Sequence, residues 1–149
     1  MFCVIKNHIL VVDEDKSIRD SVEQFLFNRG YRVKTAATSR NALKILDKEK
    51  IPIIFIALRM CGMNGLELCK QIKRRNFKCI IYAFSSYLKD YDPEQLESVG
   101  FDGYIKKPIR GEIFKAAVEG ALNKLRVEGA LNKLRNVDHF NPTLQYQPI

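Results

Sequence analysis

Short apolar runs alternate along this chain with stretches whose apolar residues recur at helical spacing. His8-Ile9-Leu10-Val11-Val12 and Ile53-Ile54-Phe55-Ile56-Ala57 are apolar nearly throughout, Cys79 to Phe84 is a third such run, and Tyr31-Arg32-Val33-Lys34-Thr35-Ala36 alternates with the period of a strand. Between them, Ile18, Val22, Phe25 and Leu26 mark a helix with Gly30 as its stop, Ala42, Leu43, Ile45 and Leu46 mark a second, and Leu66, Leu68 and Ile72 a third. Asp92-Pro93-Glu94-Gln95 predicts a helix start: an N-cap, proline at the first helical position and Gln95 placed for a capping box. That helix is short, ending near Gly100. Gly103-Tyr104-Ile105-Lys106 is a fifth strand, and Lys107-Pro108 turns the chain into the last helix.

Strand and helix in strict alternation predict an α/β fold, a five-stranded parallel sheet with helices on both faces. Five of each fit the flavodoxin-like doubly wound order 2-1-3-4-5, in which ligands sit beyond the C-terminal ends of the strands. Asp13, Glu14, Ala57, Ser85 and Lys107 all fall at that edge. Polar residues collected there describe an anion- or metal-binding crevice, working or vestigial. Read without further context, Asp13-Glu14-Asp15 is a solvated loop that caps the first helix.

The order and spacing of Val11-Val12-Asp13-Glu14-Asp15, Ala57-Leu58-Arg59-Met60-Cys61-Gly62-Met63-Asn64-Gly65 and Lys107-Pro108 resemble the receiver domain of two-component response regulators, over about residues 8 to 126. The resemblance implies a switching module of a phosphorelay rather than an enzyme. It puts Asp13 and Glu14 in the acidic pair that holds Mg²⁺, with the backbone carbonyl of Arg59 as a further ligand. It makes Lys107 the partner of the phosphoryl oxygens, Ser85 the hydroxyl that bonds the phosphoryl group, and Tyr104 the aromatic whose rotamer reports the switch. At position 57 the family carries the aspartate that completes the metal site and attacks the phosphoryl group. Ala57 has no lone pair for either task, so Mg²⁺ binding is expected to be weakened, and Lys107 is left to pair with Asp13 or Glu14. Cys61 stands where the family usually has proline, which leaves the loop freer. Nothing in the sequence supplies a base that would make Cys61 a replacement nucleophile.

Composition narrows this further. The 149 residues suffice for one domain and a short tail, so a stand-alone receiver is expected, without a separate DNA-binding output domain. No apolar run reaches the roughly 18 residues of a membrane span. The start, Met1-Phe2-Cys3-Val4-Ile5-Lys6, is unlike a secretory signal. Cys3, Cys61, Cys69 and Cys79 form no metal-ligand spacing, and His8 and His139 are isolated, so a reduced cytoplasmic protein is expected. The net charge of +8 raises nucleic acid as a partner. The basic residues are nevertheless scattered over several elements without a base-reading motif, so they are taken as solvated faces and nucleic acid is not expected.

Val118 to Arg126 reads Val-Glu-Gly-Ala-Leu-Asn-Lys-Leu-Arg, and Val127 to Arg135 repeats it unchanged. Nine residues turn a helix by about 900° and advance it about 13.5 Å, so the copied stripe of Val127, Ala130, Leu131 and Leu134 faces away from Val118, Ala121, Leu122 and Leu125. The expected organisation is a lead over 1–7, the receiver over 8–126, a helical extension over 127–135 and an irregular tail over 136–149. An uncovered stripe on the extension suggests a homodimer through the last helix, although Gly120 and Gly129 each weaken that helix by about 1 kcal/mol. The expected function is a receiver that cannot take phosphate at its usual position and acts through protein contacts, with a sensor histidine kinase or a downstream signalling protein as partner. Two readings compete with it: an ordinary aspartate-phosphorylated regulator in which Ala57 was introduced, and a basic nucleic-acid-binding module.

Overall fold

The computed structural model describes residues 8–75, 78–86 and 91–136, with side chains as far as Val127. Strands β1 (His8–Val12), β2 (Arg32–Ala36), β3 (Ile53–Ala57), β4 (Ile80–Ser85) and β5 (Gly103–Lys106) alternate with helices α1 (Lys16–Phe27), α2 (Ser39–Lys48), α3 (Gly65–Arg74), α4 (Pro93–Val99) and α5 (Gly111–Asn136). All strand pairs are parallel, in the order β2-β1-β3-β4-β5. This is the doubly wound architecture that the alternation predicts.

The three central strands are buried along their whole length, because side chains that alternate between the two sheet faces meet helices on both. On one face Leu10, Val12, Ile54, Ile56 and Ile81 pack against Ala42 and Leu46 of α2, Leu68 and Ile72 of α3, and Leu96 of α4. On the other, Ile9, Val11, Phe55 and Phe84 meet Val22 and Leu26 of α1 and Phe114, Val118 and Ala121 of α5. The Phe55 ring lies 5.3 Å from Phe84 and 4.7 Å from Phe114, centroid to centroid. Edge strand β2 exposes Arg32 and Lys34, charges that discourage further strand pairing.

Helix boundaries follow their caps. Asp15 accepts the N–H of Ser17 at 2.9 Å to start α1. The helix ends at Asn28, with Gly30 at φ 87° carrying the turn that follows. Tyr31, expected in β2, donates its N–H back to Leu26 and so belongs to that cap rather than to the ladder. At α4, Asp92 caps through the N–H of Glu94 at 3.1 Å, while Gln95 contributes only its backbone N–H, to the Asp92 carbonyl. β4 begins at Ile80 rather than Cys79.

α5 continues without a break through the duplicated nonapeptide to Asn136, so that residue belongs to the helix and not to the tail. In the first copy Val118 and Ala121 are buried and Leu122 and Leu125 pack on the core. The copied side chains at Ala130, Leu131 and Leu134, the lead with Cys3, and the rest of the tail with His139 lie outside the described residues.

His8 is not isolated. It is buried at the start of β1 with Nδ1 3.4 Å from Glu49, which also pairs with Lys34 at 3.1 Å. Burial lowers its pKa, the Glu49 carboxylate opposes this, and Arg32 and Lys34 add to the lowering. With the folded pKa below the unfolded value of about 6.5, the unfolded chain takes up the proton first. Stability contributed by neutral His8 is therefore complete above that pH and declines as pH falls below it. Melting temperatures measured from neutral to mildly acid pH are expected to fall more steeply for the parent chain than for His8→Gln.

Candidate functional site

The residues singled out from the sequence meet at the C-terminal edge of the sheet. Register pairs Val12 with Ile56 and Ala57 with Phe84, so Asp13, Ala57 and Ser85 lie in neighbouring rows where three strands end. Asp13 is only 2% exposed and all its polar groups are engaged. Its N–H donates to Ala36, its carbonyl accepts from the Arg19 guanidinium at 2.8 Å, and Oδ1 accepts the Asp15 N–H at 3.0 Å. Oδ2 accepts Lys107 Nζ at 2.7 Å.

Lys107 reaches Asp13 from a backbone anchored to the end of β4, where its N–H donates to the Ser85 carbonyl at 2.9 Å. The ammonium thus pairs with Asp13 rather than with the exposed Glu14. Glu14 turns the other way and accepts the Cys61 N–H at 3.0 Å, so the acidic loop and the loop after β3 are tied together across an open crevice that Arg59, Met60, Asn64 and Tyr91 also line.

Ala57 ends β3 with its methyl group buried, 1% exposed. The loop behind it closes tightly: Leu58 donates to Phe84, Gly65 donates to Leu58, and Asn64 caps α3 through the Glu67 N–H at 3.0 Å. A Cβ on Gly65 would lie 2.4 Å from the Ala57 carbonyl oxygen, which explains why glycine opens α3. Ser85 is buried. Tyr104, opposite Ala83 in β5, is 43% exposed on the outside of the edge strand. Sequence reasoning missed the Arg19 contact to Asp13 and the Glu14–Cys61 bond; the latter uses a backbone amide 47 residues away and leaves no signature in residue type.

The other described thiols are structural. Burial pushes the Cys69 thiol up to about 12 and that of Cys79 up to about 11, so neither is a thiolate at neutral pH. Among the described residues no group of three or more His, Cys, Asp or Glu is placed to hold a metal ion. A buried carboxylate, an exposed one and an ammonium can bind an anion or a hydrated cation, but the Ala57 methyl offers no atom for covalent chemistry.

A doubly wound parallel sheet with an acidic pair and a lysine at its C-terminal edge defines a class of α/β signalling domain. Residues 9–119 match the response regulator receiver domain family, and the chain belongs to it. It is 30% identical over 110 residues to the transcriptional regulatory protein AfsQ1 of Streptomyces coelicolor, covering 74% of this chain and 48% of that protein. To the regulatory protein VanR of Enterococcus faecium it is 32% identical over 108 residues, 71% of this chain and 46% of VanR. The chain therefore spans about half the length of these relatives. The receiver domain protein of Methanospirillum hungatei superposes with a TM-score of 0.76 at 26% identity, covering 82% of this chain and 98% of that one. Among the described residues no helix is long and apolar enough to cross a membrane.

Proposed function

We propose that this receiver takes no phosphoryl group at the end of its third strand and acts in the cytoplasm through protein contacts, with a sensor kinase or a downstream signalling protein as counterpart. The observation that carries this reading is the buried methyl of Ala57 in the row between Asp13 and Ser85, where receivers present a nucleophilic carboxylate. A methyl group cannot attack phosphorus or ligate a metal. The conformation is set instead by the Lys107–Asp13 ion pair, which satisfies both charges without phosphate. A resident Mg²⁺ does not fit this donor set well: Lys107 and the Asp15 amide engage both oxygens of Asp13, Cys61 engages Glu14, and position 57 supplies none. With Asp13, Glu14 and the Arg59 carbonyl as the remaining ligands, Mg²⁺ is held weakly. Ser85 and Tyr104 keep their positions without the trigger that would move them.

A second reading is favoured by the completeness of the surround. Asp13, Ser85 and Lys107 lie together at neighbouring strand ends, which supports a phosphoacceptor whose aspartate alone has been exchanged for Ala57. Intact-mass analysis after treatment with acetyl phosphate and Mg²⁺ separates the two, comparing the parent with Ala57→Asp. Gain of a phosphoryl group by the aspartate variant alone assigns a site whole apart from its nucleophile, hence a recent or introduced loss. No gain by either chain supports a receiver whose crevice has changed further, and a labile phosphoryl group on the parent would overturn the proposal. The extended α5 is the proposed self-association element. Light scattering is expected to give a lower mass per particle for a chain truncated after Arg126; an unchanged mass removes the dimer.

A further inference from the structure

Basic residues that are far apart in the sequence come together in the helical layer formed by α2 and α3. Arg40, Lys44 and Lys48 recur every fourth residue along α2, and Lys70 and Arg74 do so along α3; all five are exposed. The inner faces of the same helices, Ala42 and Leu46 on one and Leu68 and Ile72 on the other, are turned into the sheet, so both basic stripes point to solvent. Arg75 bonds Asp47 through Nε at 3.1 Å and Nη2 at 2.9 Å, joining the C-terminal ends of the two helices and setting the stripes side by side. Adjacent helices lie about 8–10 Å apart.

Negative charge on this face is sparse. α2 and α3 carry one carboxylate each: Asp47, which is paired with Arg75, and Glu67, which accepts the Gln71 amide at 3.1 Å and keeps its charge, one carboxylate against five cations. None of the five cations forms a salt bridge among the described residues. Folding does not ask for this arrangement. Lys48 and Arg74 complement the negative helix ends, but Arg40 sits in the first turn of α2, where the helix dipole disfavours a cation. Arg40 with Lys44, Lys44 with Lys48, and Lys70 with Arg74 are like-charge pairs at i,i+4, each of which opposes the helix.

We propose that the α2–α3 face is a binding surface for the phosphate backbone of a nucleic-acid duplex, without sequence preference. Charge complementarity selects a polyanion, and the absence of apolar anchors selects among polyanions. The large hydrophobic side chains exposed among the described residues, Phe27, Tyr104 and Ile113, all lie on other elements. A membrane-surface helix needs an apolar face to bury in the lipid, and the buried centre of a protein interface is typically apolar and depleted of charged residues. Phosphate contacts made by lysine and arginine need neither.

The test is fluorescence anisotropy of the full chain with a labelled duplex of about 20 base pairs, titrated across salt concentration. Five phosphate contacts predict a slope of log K against log salt of about −4 to −5, or roughly a 500-fold loss of affinity between about 50 and 200 mM. The double variant Lys44→Gln/Lys70→Gln is expected to reduce the magnitude of the slope by about 2, whereas Lys106→Gln/Lys115→Gln, equal in charge but away from this face, leaves it nearly unchanged. Both substitutions of the first variant relieve like-charge repulsion on exposed positions, so its fold is retained, as circular dichroism will confirm. Absence of binding at low salt, equal losses in the two double variants, or tighter binding to anionic lipid vesicles than to the duplex each overturns the proposal.

Discussion

Replacing Lys107 with methionine is expected to lower stability by about 3 kcal/mol, the cost of removing one partner from a buried ion pair. The Asp13 carboxylate is 2% exposed and the Lys107 side chain 15%, so water cannot replace the ammonium without opening the sheet edge. Methionine keeps most of the side-chain volume, and the loss is therefore electrostatic rather than a packing defect. The Asp15 amide stays as a donor to Oδ1, while Oδ2 loses its partner. The double variant Asp13→Asn/Lys107→Met is expected to recover most of the loss, because the amide oxygen still accepts from Asp15 and no buried charge remains. Urea denaturation of the four chains measures the coupling. A double variant no more stable than Lys107→Met would show that the pair is not the source of the effect.

The strength of that pair could not be read from the sequence, although its members could. Asp13, Ala57, Ser85 and Lys107 were legible because a parallel sheet delivers every strand end to one edge, and the expected strands His8–Val12, Ile53–Ala57 and Gly103–Lys106 end where the observed strands end. Which acid Lys107 would choose stayed open, since Asp13 and Glu14 are adjacent and differ only in depth. The structure decides by burying Asp13 and leaving Glu14 exposed to accept the Cys61 amide. Backbone donors carry no residue signature, so that contact was illegible. The one-residue difference at Tyr31 has the same origin: an extended-looking residue belongs to a cap when its N–H is bonded there. The basic face was hidden for another reason, because Arg40 and Lys70 stand on helices separated by a whole strand and only the helical layer brings them together.

The site's history can be probed by restoring what position 57 lacks. Ala57→Asp is expected to lower stability by about 2 kcal/mol in metal-free buffer and to regain it on adding Mg²⁺. Register puts residue 57 one step beyond the Val12–Ile56 pair, directly beside Asp13, and neighbouring strands are about 4.8 Å apart. A carboxylate placed at a position 1% exposed would share one ammonium, Lys107, with a second buried carboxylate, so one negative charge goes largely uncompensated. Mg²⁺ reverses the sign: it stabilises the fold by binding it and not the unfolded chain, and three acidic groups now face it rather than two. In the parent, where Lys107 already neutralises Asp13, the same Mg²⁺ addition is expected to leave the melting temperature almost unchanged. Thermal melts of both chains with chelator and with Mg²⁺ give the comparison. An equal Mg²⁺ shift in the two would mean that Asp13 and Glu14 hold the ion without help from position 57, and that Lys107 yields its partner to the metal.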